Sequence, residues 1–372
     1  MAASWLLVAA LLLTVAQYYH PQHGFTRFIT FPAAAHGSEI AAVRESPHHD
    51  DSSGGYDGQF YAQLAVDPLL RHPSIDGALD LPPYRARRIL MSWMAYAAGF
   101  GKPTWILQAY SLMNVGAWLL LAWVLTKFIP PTTGRGFALW AASLTSHGIL
   151  SSIRVALPDG VSALLIALAL LAISRGRAVA GAVVLGAAGL ARETNLLASL
   201  SFARFLRSNV HSIVLVGACL LLCAIPLLLW LDYLRAIYRS TMMIHDGHIT
   251  IPFWGIGWKL KSIWLGASDT AMPELTASIV AVIAWAARTF WTVRLLAGPD
   301  RRAPWTMVAA AYVVMSLTMH PVVWEGSPGA FTRVLLPLAL ATNVTMASRP
   351  GVRWPLIVAA NLDVIPGVML VL

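Results

Sequence analysis

The sequence predicts an all-α, polytopic membrane protein, and three observations carry that prediction. Of the 372 residues 58% are hydrophobic and only 12% charged, with a mean hydropathy of +0.65, whereas a soluble domain is roughly a quarter charged. Apolar runs recur from Trp5 to Leu372, so the apolar character is not that of a soluble domain with one anchor. Lys and Arg (26) outnumber Asp and Glu (17), an excess that suits cytoplasmic loops and anionic headgroups. No basic stretch interleaved with aromatics marks a nucleic-acid module. Cys219 and Cys223 lie four apart in an apolar run, so they share a helix face as packing residues.

The elements follow in order as one transmembrane domain over residues 1–372. Residues 3–19 form a retained first span, since residues 1–4 carry no basic side chain and no small-x-small cleavage site follows. A polar first loop covers 20–88 and ends in Arg85, Arg87 and Arg88, placed at headgroup level. Residues 89–100 are too short to cross and read as an interfacial helix. Spans are expected at 103–126, 137–150, 160–173, 179–191, 196–205 and 210–231. A second polar loop, 232–273, precedes spans at 275–296, 304–319, 330–347 and 354–372. That makes about eleven spans by length and hydropathy.

Cation placement sets the orientation. With the N-terminus cytoplasmic and 89–100 not crossing, Lys127, Arg135, Arg175, Arg177, Arg204, Arg207, Arg301, Arg302, Arg349 and Arg353 all fall inside. The polar segments 20–88, 154–159, 192–195, 232–273 and 320–327 then share the outer face. Polar groups at bilayer level are expensive and tend to line a site.

Within the first loop, Gly54-Gly55-Tyr56-Asp57-Gly58-Gln59-Phe60-Tyr61 puts one carboxylate among aromatic rings. Asp-Gly is a common turn dipeptide, so a surface turn accounts for it as well. The functional reading makes Asp57 a general base taking a proton from an acceptor hydroxyl, with Tyr56, Gln59 and Tyr61 contacting substrate. Arg88 closes the same loop. Arg154 and Asp159 flank a short outer turn, where Asp159 suits a helix start and Arg154 suits an anion. Arg192 and Glu193 interrupt two apolar runs, either as an internal ion pair or facing the site. His320, Trp324 and Glu325 lie on the outer 320–327 loop, Trp324 there as an interfacial anchor. Arg333 at a helix mouth fits either a lipid phosphate or snorkelling to headgroups. The segments His48-His49-Asp50-Asp51 and His245-Asp246-Gly247-His248 hold metal-ligand types but read as solvated loops, and no metal ligand set is assigned. Walker, zincin and nucleophile-elbow motifs are absent from the sequence.

This pattern resembles the GT-C superfamily of integral-membrane glycosyltransferases, in particular bacterial polyprenyl-phosphate-dependent, mannosyltransferase-like members. The likeness rests on the first-loop motif around Asp57, the basic entry Tyr84-Arg85-Ala86-Arg87-Arg88-Ile89-Leu90 and the 154–159 loop. It extends to Ser174-Arg175-Gly176-Arg177, to Ala191-Arg192-Glu193-Thr194 and to Arg333-Val334-Leu335-Leu336-Pro337. It covers residues 1–195 better than the C-terminal half, and the Asp57 motif is its most specific part. The family's soluble C-terminal domain has no counterpart here, nor does a second acid beside Asp57 unless Asp50 or Asp51 serves.

The resemblance implies a polyprenyl-phosphate sugar donor and transfer with inversion to an extracytoplasmic acceptor, whether glycan, lipid or protein. The setting would be the bacterial inner membrane. Asp57 matches the family's first-loop catalytic carboxylate, Arg192 and Arg333 are candidates for the donor phosphate, and a divalent cation stays open as a cofactor. Two other classes fit the same features: a transporter or flippase for a lipid-linked or anionic substrate, and a non-catalytic envelope-assembly subunit.

Overall fold

A computed structural model of the chain describes residues 2–33, 38–52, 54–238, 249–266 and 271–370. The first helix, α1 (Ala2–Ala16), leads into the first loop. There the chain builds a short parallel pair, β1 (Phe31–Pro32) with β2 (Asp50–Asp51), in the register Phe31 to Asp50 and Pro32 to Asp51. Around it stand α2 (Ala41–Arg44), α3 (Gly58–Val66), α4 (Ile75–Ala78) and α5 (Pro82–Ala86). The loop is therefore a folded cap.

The body continues with α6 (Leu90–Ala98), α7 (Pro103–Leu125), α8 (Gly134–Thr145), α9 (His147–Arg154), α10 (Asp159–Ser174) and α11 (Ala178–Ala191). A 3₁₀ helix, Glu193–Phe205, joins α11 to α12 (Val210–Tyr238), which α13 (Trp254–Leu265) and α14 (Met272–Leu296) follow. The last third holds α15 (Pro304–Leu317), α16 (Pro321–Trp324), α17 (Phe331–Val334), α18 (Leu336–Ala347), α19 (Trp354–Ala360) and α20 (Val364–Met369).

Among the described residues three helices are long and apolar enough to cross a membrane: α7, α12 and α14, with 23, 29 and 25 residues. At 1.5 Å per residue each exceeds the roughly 30 Å hydrocarbon thickness. Apolar helices α1, α10, α11, α15 and α18 are shorter, at 12 to 16 residues. Several spans expected as continuous are divided. Residues 137–150 break at Ser146, whose ψ of 149° is extended. Residues 330–347 break at Leu335, two residues before Pro337, whose ring cannot sit inside the preceding turn. Residues 354–372 break after Ala360. The stretch expected as an α-helical span at 196–205 winds as the 3₁₀ helix, which rises faster per residue.

Polar pairs hold these breaks inside the bundle. Arg288 of α14 donates to Asp363 Oδ1 at 2.6 Å, and both residues are buried. Asn343 and Asn361 exchange amide hydrogen bonds at 2.9 Å in each direction. An unpaired polar group at such depth costs several kcal/mol, on the order of a whole buried side chain, so the pairs decide where the chain turns. Trp118 and Trp140 tie α7 to α8 by donating across to Leu144 O and Ala122 O at 2.8 and 2.9 Å.

One expectation for the loops changes. The segment 48–51 is built into the cap: β2 pairs with β1, and the His48 imidazole is buried between Glu39 (3.7 Å) and Asp50 (3.4 Å). The His245 to His248 segment lies outside the described residues. Residues 89–100 contain the nine-residue α6, which packs on α3 and α7, its Ser92 hydroxyl donating to Tyr61 O at 2.8 Å.

Candidate active site

The Asp57 turn is shaped by its glycines for two different reasons. Gly55 takes φ +78°, a conformation costly for side-chain-bearing residues, and its missing Cβ leaves room for Pro32. Gly58 is helical, but a Cβ there would lie 2.5 Å from Val155 O and 3.3 Å from Ala156 O. Its bare backbone lets the start of α3 press against the turn between α9 and α10. Asp57 stands at the N-cap position of α3, yet its side chain makes no capping hydrogen bond. The carboxylate is directed elsewhere.

It meets Arg85, whose Nη2 donates to Asp57 Oδ1 at 2.8 Å. The same guanidinium grips Asp80 through Nε (2.8 Å) and Nη2 (2.6 Å) and lies over the Phe60 ring at 4.8 Å. Burial works against the Arg85 charge, but the Asp80 hydrogen bond and the Asp57 charge outweigh it and hold it far above its ordinary range. Sequence reasoning surrounded Asp57 with rings alone. The structure adds a cation beneath it, because α5 lies against α3.

A cavity of about 280 Å³ opens in front of this pair. Asp57, Tyr61, Tyr84, Arg88, Asp159, Arg192, Glu193 and Arg333 supply its polar wall; Met315, Met319, Val322, Val323 and Val334 supply much of its apolar wall. The charges alternate. Arg88 forks onto Glu193 through Nε (3.1 Å) and Nη2 (2.8 Å) and reaches Tyr61 Oη at 3.4 Å. Burial disfavours both members of that pair, and pairing prevails: Glu193 is held well below the usual carboxylate range and Arg88 well above its own. Arg192 contacts the buried Asp159 directly. Arg333 is the least compensated cation. It shares Asp159 at 3.8 Å, donates to Tyr56 Oη at 2.9 Å and covers that ring at 5.4 Å.

Fixed backbone stands behind these side chains. Tyr110 of α7 donates to Ala156 O at 2.8 Å, where Ala156 holds a left-handed φ of 45°. Asn114, one turn on, donates to Ser152 O and Leu157 O at 2.8 and 2.7 Å. The turn that starts α10 at Asp159 is thereby bolted to α7. From the other side Tyr312 of α15 donates to Thr194 O at 3.1 Å, steadying the Arg192–Glu193 corner.

Not every candidate residue reaches the cavity. Arg154 turns away and lies over the Tyr18 ring at 5.0 Å, since the strained turn carries Asp159 inward and Arg154 outward. Gln59 is buried on α3, off the cavity wall. His320 caps α16 by accepting from Val322 N at 3.3 Å. Trp324 is no interfacial anchor: it is fully buried, stacked on Phe331 at 4.4 Å and edge-on to Trp285 at 5.4 Å. Glu325 points to solvent. Arg85, Arg87 and Arg88 are buried within the protein. Arg85, Asp80 and Tyr84 were missed as site residues. The i, i+3 spacing of Arg85 and Arg88 could have found the first, because it puts both on one face of a helical turn.

The donor set does not suit a divalent cation. Each cavity carboxylate is already engaged by a guanidinium: Asp57 by Arg85, Asp159 by Arg192, Glu193 by Arg88. Among the described residues no group of three or more His, Cys, Asp or Glu is placed to hold a metal ion. Comparison with family models, with curated proteins and with solved structures finds no match to this chain.

Proposed function

We propose that the cavity is the active site of a membrane glycosyltransferase that takes a sugar from a polyprenyl-phosphate donor and inverts the anomeric centre. One observation carries the reading: the Asp57 carboxylate opens on the same cavity as three guanidinium groups, of which Arg333 is only weakly neutralised. A base facing a phosphate-binding cation is the arrangement that displacement at an anomeric carbon requires. The acceptor hydroxyl oxygen forms a bond to the anomeric carbon while its proton passes to Asp57. The bond from that carbon to the phosphate oxygen breaks, and its electron pair leaves with the phosphate toward Arg333 and Arg192. Arg85 holds one carboxylate oxygen, leaving the other for the proton. The apolar wall of Met315, Met319 and Val334 accommodates the first isoprene units of the donor. About eleven spans, with this face extracytoplasmic in an inner membrane, belong to the same proposal.

The test is turnover of a polyprenyl-phosphate hexose by the purified chain. Asp57→Asn should fold normally and lower kcat by about 10²- to 10⁴-fold, the range for loss of a general base. Wild-type turnover by that variant would reject the assignment. Movement of the lipid-linked substrate across a proteoliposome without glycosyl transfer would favour a flippase instead.

A further inference from the structure

A second cavity, of about 790 Å³, is lined by Trp291, Arg294, Gly298, Arg349, Arg353 and Leu356 among others. It lies at the opposite end of the bundle from the Asp57 cavity. The latter takes Arg333 and Val334 from just before α18 and Met315 from the end of α15. The second cavity takes Arg349 from just after α18, and the 12-residue α18 spans roughly 18 Å at 1.5 Å per residue. The two cavities share no lining residue.

Three arginines, Arg294, Arg349 and Arg353, line this one cavity, and only Arg349 is paired with a carboxylate among the described residues. Arg349 Nη2 donates to Asp300 Oδ2 at 2.6 Å and its guanidinium lies over Trp291 at 5.8 Å. Arg294 and Arg353 have no carboxylate partner among the described residues. A cation snorkelling from a helix flank needs only bulk headgroups, and single arginines at separate flanks would serve. Here the turn that carries Arg349 is clamped from behind: Arg135 of α8 donates to Met346 O at 2.7 Å and to Pro350 O at 2.6 Å. The fold thus holds like charges around one volume, an arrangement completed by an anion. Part of the wall is apolar, supplied by the buried Trp291 and by Leu356. A free phosphate has no use for such a wall, whereas the glycerol and first methylenes of a lipid do.

We infer that this cavity binds the phosphate of an anionic glycerophospholipid, the guanidinium groups of Arg294, Arg349 and Arg353 taking the headgroup. The inference is independent of glycosyl transfer, so Asp57→Asn should leave it untouched.

The experiment titrates the full chain, in a neutral detergent, with short-chain phosphatidylglycerol, matched phosphatidylcholine and inorganic phosphate. Phosphatidylglycerol should bind, and Arg294→Gln with Arg353→Gln should weaken it about thirtyfold, the worth of two surface cations. Arg294→Lys with Arg353→Lys should retain most of the affinity. Should the double Gln variant unfold, Arg353→Glu alone serves, with the same expected loss. Equal affinity for phosphatidylcholine, or unchanged binding in the charge-removed variants, would overturn the site. Displacement of the lipid by inorganic phosphate at equal concentration would overturn its assignment to a lipid.

Discussion

Arg85 donates to Asp57 at 2.8 Å with the same guanidinium that Asp80 holds by two further hydrogen bonds. The carboxylate at the cavity is thus aimed by a side chain that does not itself line it. Asp80 fixes Arg85, and Arg85 fixes Asp57.

Arg85→Gln should therefore behave as a positioning change. It should lower kcat by about a hundredfold, the scale for a misplaced reacting group, with a smaller effect on KM. Arg85→Lys should recover part of the rate, since the ammonium reaches one acceptor but not both. Steady-state kinetics on the two variants make the check. Equal loss in kcat and in thermal stability for both would point to a purely structural role.

Gly58→Ala should destabilise the protein by about 1–3 kcal/mol, the cost of overpacking against a wall that cannot move aside. The atom in the way is the backbone carbonyl of Val155, in a turn held by Tyr110 and Asn114. Thermal unfolding in detergent measures it. An Ala variant as stable as wild type would mean that the two segments do not touch.

Breaking the Arg288–Asp363 pair should cost on the order of 3–5 kcal/mol, because either residue alone becomes a buried, uncompensated charge. Arg288→Met and Asp363→Leu should each be severely destabilised. The double variant should regain much of the loss, as a double-mutant cycle would show.

Lys259 predicts a rise of stability in mild alkali. It is buried in α13, outside the three long apolar helices, and donates to Gly326 O at 2.7 Å and to the Ser278 hydroxyl at 3.1 Å. Burial pulls its ammonium down to about 8. The unfolded chain then binds more protons than the folded one between about pH 8 and the unperturbed value near 10.4. Stability from this group is lowest below pH 8 and increases as pH rises through that window. Melting temperatures of wild type and Lys259→Met between pH 7 and 10.5, a window set by those values, should differ in slope, with the variant flatter.

How much of this was legible beforehand divides along physical lines. The helical, membrane-embedded character and the position of most long runs follow from local composition, which survives in any three-dimensional arrangement. The run at 354–372 read as continuous because its break depends on a partner elsewhere: Asp363 turns toward Arg288, 75 positions away. Trp324 read as an anchor because hydropathy cannot tell a ring at an interface from one stacked on Phe331. Arg154 and Asp159 read as charges in one short loop on the same outer face, Asp159 suiting a helix start and Arg154 an anion. The left-handed turn at Ala156 sends them to opposite sides.

By itself the sequence determined that this chain is an apolar helical bundle with its acidic and basic side chains gathered between runs. It also singled out Asp57, among glycines that a close turn requires. Only the tertiary structure decided which charges meet. Ion pairing needs approach to a few ångströms, and the partners of Asp57, Arg88 and Arg333 lie 28, 105 and 174 positions away. No local pattern encodes such distances; helix packing does.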